Sequence, residues 1–194
     1  MPGTLLFITM SLGLLLVPGP TNTLLAVGGA ATGLRRSWVL MPAALCGYLC
    51  AIHVLAFIAG PFVQGSPAVQ LTLRIVLALY LLWLGVALWR SEVTALPTQA
   101  VTPGRVFLVT LLNPKALVFA FVVLPPLSEG RWMETTPWLA GLSVMIAISS
   151  LAWISLGAAI AGGRMLRPYA RLIPRAGSVV LAAFAVVIVA TAKL

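Results

Sequence analysis

The chain has 194 residues, of which 61% are hydrophobic and only 8% charged, with a mean hydropathy of +1.12. Soluble globular domains do not have that composition, and apolar runs of membrane-spanning length recur along the whole sequence, so a single anchor on a soluble domain is excluded. The net charge of +9 arises from twelve basic residues against three acidic ones, placed mostly in short connections between apolar runs, which fits orientation in a bilayer and not nucleic-acid binding.

The first apolar span runs from about Thr4 to Gly33 and is interrupted at Pro18-Gly19-Pro20-Thr21-Asn22. About thirty residues would give a helix of about 45 Å, too long to stand upright but suited to two half-helices meeting at an angle. No Lys or Arg precedes the run and no small-residue cleavage site marks its first break, so it is expected to be a span and not a cleaved signal peptide. After Arg35-Arg36 a second span covers about Ser37 to Gly60, with a kink expected at Pro42, and Pro61 to Pro67 forms an uncharged turn.

A third span from about Ala68 to Trp89 closes with Arg90, and the polar stretch Ser91 to Gly104 is the longest connector. The fourth, about Arg105 to Leu127, is broken at Asn113-Pro114-Lys115 and ended by Pro125-Pro126. A fifth covers about Thr136 to Ala161 and a sixth about Gly177 to Ala192. The expected fold is therefore an all-α integral membrane protein with six transmembrane helices in one domain. A three-helix repeat at 1–97 precedes a second at 98–194. The two breaks, about 95 residues apart, each fall in the first span of a half. Three is odd, so the second repeat starts from the opposite side of the bilayer and the topology is inverted.

The turn with Arg35 and Arg36, the connector with Arg90 and Arg105, and the loop with Arg164, Arg167, Arg171 and Arg175 all fall on one face. The positive-inside bias makes that face cytoplasmic and places both termini outside. Trp89 and either Trp132 or Trp138 suit interfacial positions, with core packing as the alternative for each.

In hydrocarbon the backbone groups freed by a proline find no water, so such breaks persist only where protein buries them or where they line a cavity. Pro18, Gly19, Pro20, Thr21 and Asn22 open a new half-helix with unpartnered N–H groups. At the second break Asn113 is a good N-cap for a helix starting at Pro114. Carbonyls near Leu15 to Val17 and Thr110 to Leu112 lose their helical donors. Asn113 lies about 12 Å along its helix from Arg105, so the paired breaks would face each other near mid-bilayer, offering N–H groups to an anion and carbonyls to a cation. A zwitterion such as an α-amino acid suits that centre. The alternative is that the prolines only kink crowded helices.

Lys115 is the most informative single residue. A lysine in an apolar span is costly and marks a pathway or an ion partner, and no acid lies within the spans to pair with it. It is placed to hold a substrate carboxylate, with snorkelling over about 15 Å as the alternative. For Arg74 snorkelling is the favoured reading. His53, in mid-span two, carries the only apolar-region side chain that ordinarily titrates near neutral pH, which suits proton coupling or a simple bond to a backbone carbonyl.

Cys46 and Cys50 lie one helical turn apart, do not form a redox pair spacing and are expected to be small core residues. Gly29-x-x-x-Gly33 allows close packing within the chain or between the subunits of a homodimer. There is no zinc spacing, nucleotide loop or catalytic acid pair in the spans, so neither a cofactor nor an enzymatic activity is expected.

These residues resemble the LysE/RhtB translocators, bacterial inner-membrane exporters of amino acids and related metabolites. The resemblance covers nearly the whole chain. It rests on Pro18-Gly19-Pro20 with Thr21-Asn22; Gly33-Leu34-Arg35-Arg36; Tyr80-Leu81-Leu82-Trp83-Leu84-Gly85; and Leu111-Leu112-Asn113-Pro114-Lys115-Ala116 with Phe119 and Pro125. Ser37 and Ala78 replace glycines common in the family, and Tyr48 stands where relatives are often polar or acidic, so no carboxylate role carries over there. The resemblance implies export of a small amino compound from the bacterial cytoplasm, often in exchange for a proton, by a protein partnered only by lipid, substrate, coupling ion and its own copies. Two other readings stay open: a membrane thiol or electron carrier of related fold using Cys46 and Cys50, and export of a metal cation.

Overall fold

In a computed structural model, residues 3–90, 101–124, 130–162 and 172–190 are described, and among them every regular element is helical. The elements are α1 (Thr4–Leu16), α2 (Pro20–Thr32), α3 (Leu34–Ser37), α4 (Leu40–Ile58), α5 (Gly60–Gln64), α6 (Pro67–Arg90), α7 (Pro103–Leu111), α8 (Lys115–Val118), α9 (Trp132–Ala161) and α10 (Leu172–Ala190). A π-helical turn, Phe119–Val123, continues α8.

Three helical stretches are long and apolar enough to cross a bilayer: Leu34–Ile58, Pro67–Arg90 and Trp132–Ala161. Two bent pairs reach that length only together. Thr4–Leu16 and Pro20–Thr32 meet at 60°, and Pro103–Leu111 and Lys115–Val123 at 54°. The breaks fall where prolines remove N–H donors and stop the preceding helix from continuing. Pro20 opens α2 at its first helical position, after a fully extended Gly19.

Several boundaries differ from expectation for local reasons. Pro42 lies in the first turn of α4, and the stretch Leu34–Ile58 is interrupted at Trp38 and Val39, in the turn before it. The turn expected over Pro61 to Pro67 is mostly the short helix α5, which leaves only Gly65 and Ser66 outside a helix. Helix α9 starts at Trp132, four residues before the expected Thr136, and α10 starts at Leu172, five before Gly177. Most of the Ser91–Gly104 connector, Pro125-Pro126, and Arg164, Arg167 and Arg171 lie outside the described residues.

Helix α2 packs along α9, α4 along α7, and α6 along α10. The first contact is backbone to backbone. A Cβ at Gly29 would collide with the Ile154 carbonyl, and one at Gly157 with the Ala26 carbonyl. Within the chain, the close packing expected of Gly29-x-x-x-Gly33 comes from Gly29. Gly33 caps α2 at φ 75° and has nothing within 4 Å of its Cβ position, while Gly29 makes the close approach.

The main core gathers Phe7, Leu14, Leu15, Tyr48, Ile52, Leu81, Phe119, Ile146 and Leu181. A smaller cluster, Leu25, Leu40, Ala44, Val106 and Ile154, closes the bundle beside the Arg35-Arg36 turn. Cys46 and Cys50 are exposed on the outside of α4, contrary to their expected place in the core. The inward face of that helix is taken by Ala44, Tyr48, Ala51 and Ile52.

Candidate functional site

Thr21, Thr110 and Tyr48 each follow or precede a residue of the smaller cluster by one helical turn: Leu25 on α2, Val106 on α7 and Ala44 on α4. Three helices thus turn polar at the same level, next to both breaks. The close approach of α4 to α7 makes this possible. A Cβ at Gly47 would stand 2.8 Å from Cβ of Thr110 and 2.9 Å from the Phe107 carbonyl oxygen, so only glycine lets the two backbones come this near.

At the first break Asn22 turns back over the chain. Its amide Nδ2 donates to the Leu15 carbonyl at 2.6 Å and to the Val17 carbonyl at 2.8 Å. Each carbonyl also has a second donor from a distant part of the chain. Ser149 Oγ on α9 donates to Leu15 at 3.2 Å. The Lys115 ammonium donates to Val17 at 2.6 Å. Thus two of the oxygens that the sequence leaves bare, those of Leu15 and Val17, are each taken twice, and an unsatisfied peptide group in hydrocarbon costs several kcal/mol.

The second break is closed mainly by its own residues. The Asn113 N–H donates to the Thr110 carbonyl at 3.0 Å, and the Ala116 N–H to the Asn113 carbonyl at 2.9 Å. Asn113 Oδ1 accepts from the Lys115 N–H at 3.0 Å, the expected side-chain cap, although the helix itself starts at Lys115 and not at Pro114. With its acceptor used locally, the Asn113 amide reaches outward and donates to Thr21 Oγ1 at 2.9 Å and Tyr48 Oη at 3.2 Å. Thr21 Oγ1 lies 3.1 Å from Thr110 Oγ1, whose hydroxyl also donates to the Val106 carbonyl at 2.7 Å.

Lys115 is 1% exposed. Snorkelling is therefore corrected: the side chain runs inward to the first break, where its Nζ lies 3.4 Å from the position a Cβ would take on Gly19. Val17, Thr21, Asn22, Asn113 and Lys115 form one buried, hydrogen-bonded unit linking residues up to 98 apart in sequence, with the half-buried Gly19 leaving room for the lysine beside it. Pro18 and Pro20 shape the bend without joining that network. Pro18 Cδ lies 2.7 Å from the position a Cβ would take on Gly177 of α10, and Pro20 is exposed. Pro114 is half-buried within the second bend.

His53 stands apart. Its Nδ1 is 2.7 Å from the Leu49 carbonyl oxygen one turn back, and its ring stacks on Trp132 at 6.0 Å, next to Phe57. Tyr48, Thr110 and Ser149 belong to the unit but were not singled out as binding residues. Only proximity to a break could have flagged Thr110, and a serine amid the apolar residues of α9 gives no sequence signal.

The sequence model of the LysE type translocators matches residues 12–192. The arginine exporter protein ArgO of Yersinia enterocolitica is 30% identical over 74% of this chain and 73% of its own length. The cysteine/O-acetylserine efflux protein of Klebsiella pneumoniae is 26% identical over 78% of this chain and 80% of its own. Its counterpart in Salmonella typhi is 26% identical over 73% of each. No solved structure gives a significant match. A family match across nearly the whole length, on a helical bundle whose two breaks are tied together by a buried lysine, identifies the chain as a multi-pass membrane protein of the LysE type translocator family.

Proposed function

We propose that the protein is a secondary transporter that exports an amino acid or a close derivative across the bacterial cytoplasmic membrane by alternating access. The bond from the Lys115 ammonium to the Val17 carbonyl carries this reading, because it spends a costly buried charge on joining two helix breaks in the middle of the bundle. The printed functions of the relatives, arginine export and cysteine or O-acetylserine efflux, supply the cargo class.

The packing supports two inverted halves at 1–97 and 98–194. Under a two-fold exchange the first span of each half should meet the second of the other, and third should meet third. The pairs α2 with α9, α7 with α4, and α6 with α10 have that form. The basic loops face the cytoplasm and both termini lie outside. The smaller cluster and the Gly29–Gly157 seam close the bundle on the Arg35-Arg36 side, and alternating access needs one side shut at a time. Proton exchange drives export, with His53 as the candidate carrier.

Export is tested with Lys115→Ala and Asn113→Ala at matched membrane abundance. Loss of the charge-assisted Lys115 bond, about 3 kcal/mol, lowers export by about two orders of magnitude, and loss of the neutral Asn113 bonds lowers it by about tenfold. Wild-type efflux from both variants would sink the site.

A further inference from the structure

We infer that the cargo bears a carboxylate but no cationic side chain, so that basic amino acids are excluded. This inference rests on the export reading above and narrows it to a substrate class.

The chain holds three acidic residues: Glu92 and Glu129 fall in connections between the apolar runs, and Glu134 in the first turn of α9. Glu134 is exposed and pairs with Arg131 at 2.8 Å. A guanidinium or ammonium group on a cargo side chain would enter a buried centre that contains a lysine and no carboxylate. Peptide carbonyls are the other partners available to a cation in a membrane, but those of Leu15 and Val17 already accept two donors each. The centre is therefore electropositive. It disfavours a cargo of net positive charge, whereas a zwitterion brings its own carboxylate to offset its α-ammonium.

An anion meets the opposite conditions. The Lys115 ammonium has three N–H donors, and Val17 supplies the one acceptor its Nζ has among the described residues. A carboxylate would fill the remaining donor positions and neutralise the buried charge. A second polar group is also left open. Ser11, on α1 one turn before Leu15, is 0% exposed, and its hydroxyl has no hydrogen-bond partner among the described residues. A neutral hydroxyl suits the amino group or an uncharged polar substituent of the cargo. Phe119, one turn beyond Lys115, packs edge to face with Tyr48 at 5.9 Å and gives this centre an apolar wall.

The test uses everted membrane vesicles containing the full-length wild-type protein, with vesicles from empty-vector cells as the baseline. Uptake of radiolabelled serine, leucine, citrulline, arginine and lysine is compared. Citrulline has nearly the shape of arginine with a neutral urea group in place of the guanidinium. Leucinamide, which lacks the carboxylate, is the companion to leucine. The expected result is uptake above baseline for at least one of serine, leucine and citrulline, with arginine and lysine at least about 30-fold slower. Leucinamide stays at baseline. Arginine or lysine uptake at the rate of the best neutral substrate would overturn the inference and leave amino-acid export standing, as would leucinamide uptake matching that of leucine. Baseline uptake for all five amino acids would overturn both.

Discussion

The two helix breaks differ in how they are closed. The second closes itself: Asn113 caps the Lys115 N–H, and the backbone bonds of Asn113 and Ala116 bridge the gap. The first depends on others: α1 stops at Leu16, so the oxygens of Leu15 and Val17 have no helical donor and draw on Asn22, Ser149 and Lys115. One break is thus a fixed platform. The other is a set of acceptors whose satisfaction depends on the positions of α8 and α9.

The comparison is broken most severely at Asn22. Asn22→Ala removes donors to two buried carbonyls and is expected to cost about 2–4 kcal/mol of stability, read as a fall in the melting temperature of detergent-purified protein. Asn113→Ala should cost only about 1–2 kcal/mol in the same assay, because the backbone bonds of the second break remain. If the two variants melt together, the breaks are not different in kind. Next, Gly157→Ala forces a methyl group onto the Ala26 carbonyl and should destabilise the α2–α9 seam by about 1–3 kcal/mol, seen as faster proteolysis in membranes.

Tyr48→Phe sharpens the contrast. It removes one acceptor from the Asn113 amide and leaves the bond to Thr21, so export should fall by no more than about tenfold, the worth of one neutral hydrogen bond. The smallest effect is expected for Cys46→Ser with Cys50→Ser. Both side chains face outward from α4, and efflux should be unchanged. Loss of activity in that double variant would revive a thiol mechanism.

The breaks were legible because proline acts locally: it removes a donor and restricts its neighbour whatever surrounds it, and both bends fall at the expected residues. The inward direction of Lys115 followed only partly, since the sequence offered a substrate carboxylate but not the Val17 carbonyl as its partner. Faces were harder to read. In a bilayer the outside of a helix is as apolar as its packed side, so the periodicity that would have turned Cys46 and Cys50 outward and Ser149 inward is nearly absent. Helix starts at Trp132 and Leu172 were missed because polar or proline-containing first turns resemble loop sequence.

In the transport cycle proposed above, a lysine bonded to a peptide oxygen serves as an internal stand-in for cargo. With nothing loaded, Lys115 latches the two breaks through Val17, so the vacant protein is not forced to leave a naked charge in the lipid interior. An incoming anion competes with that latch for the same ammonium. On that export reading, the unladen protein makes its return stroke with its central charge already satisfied.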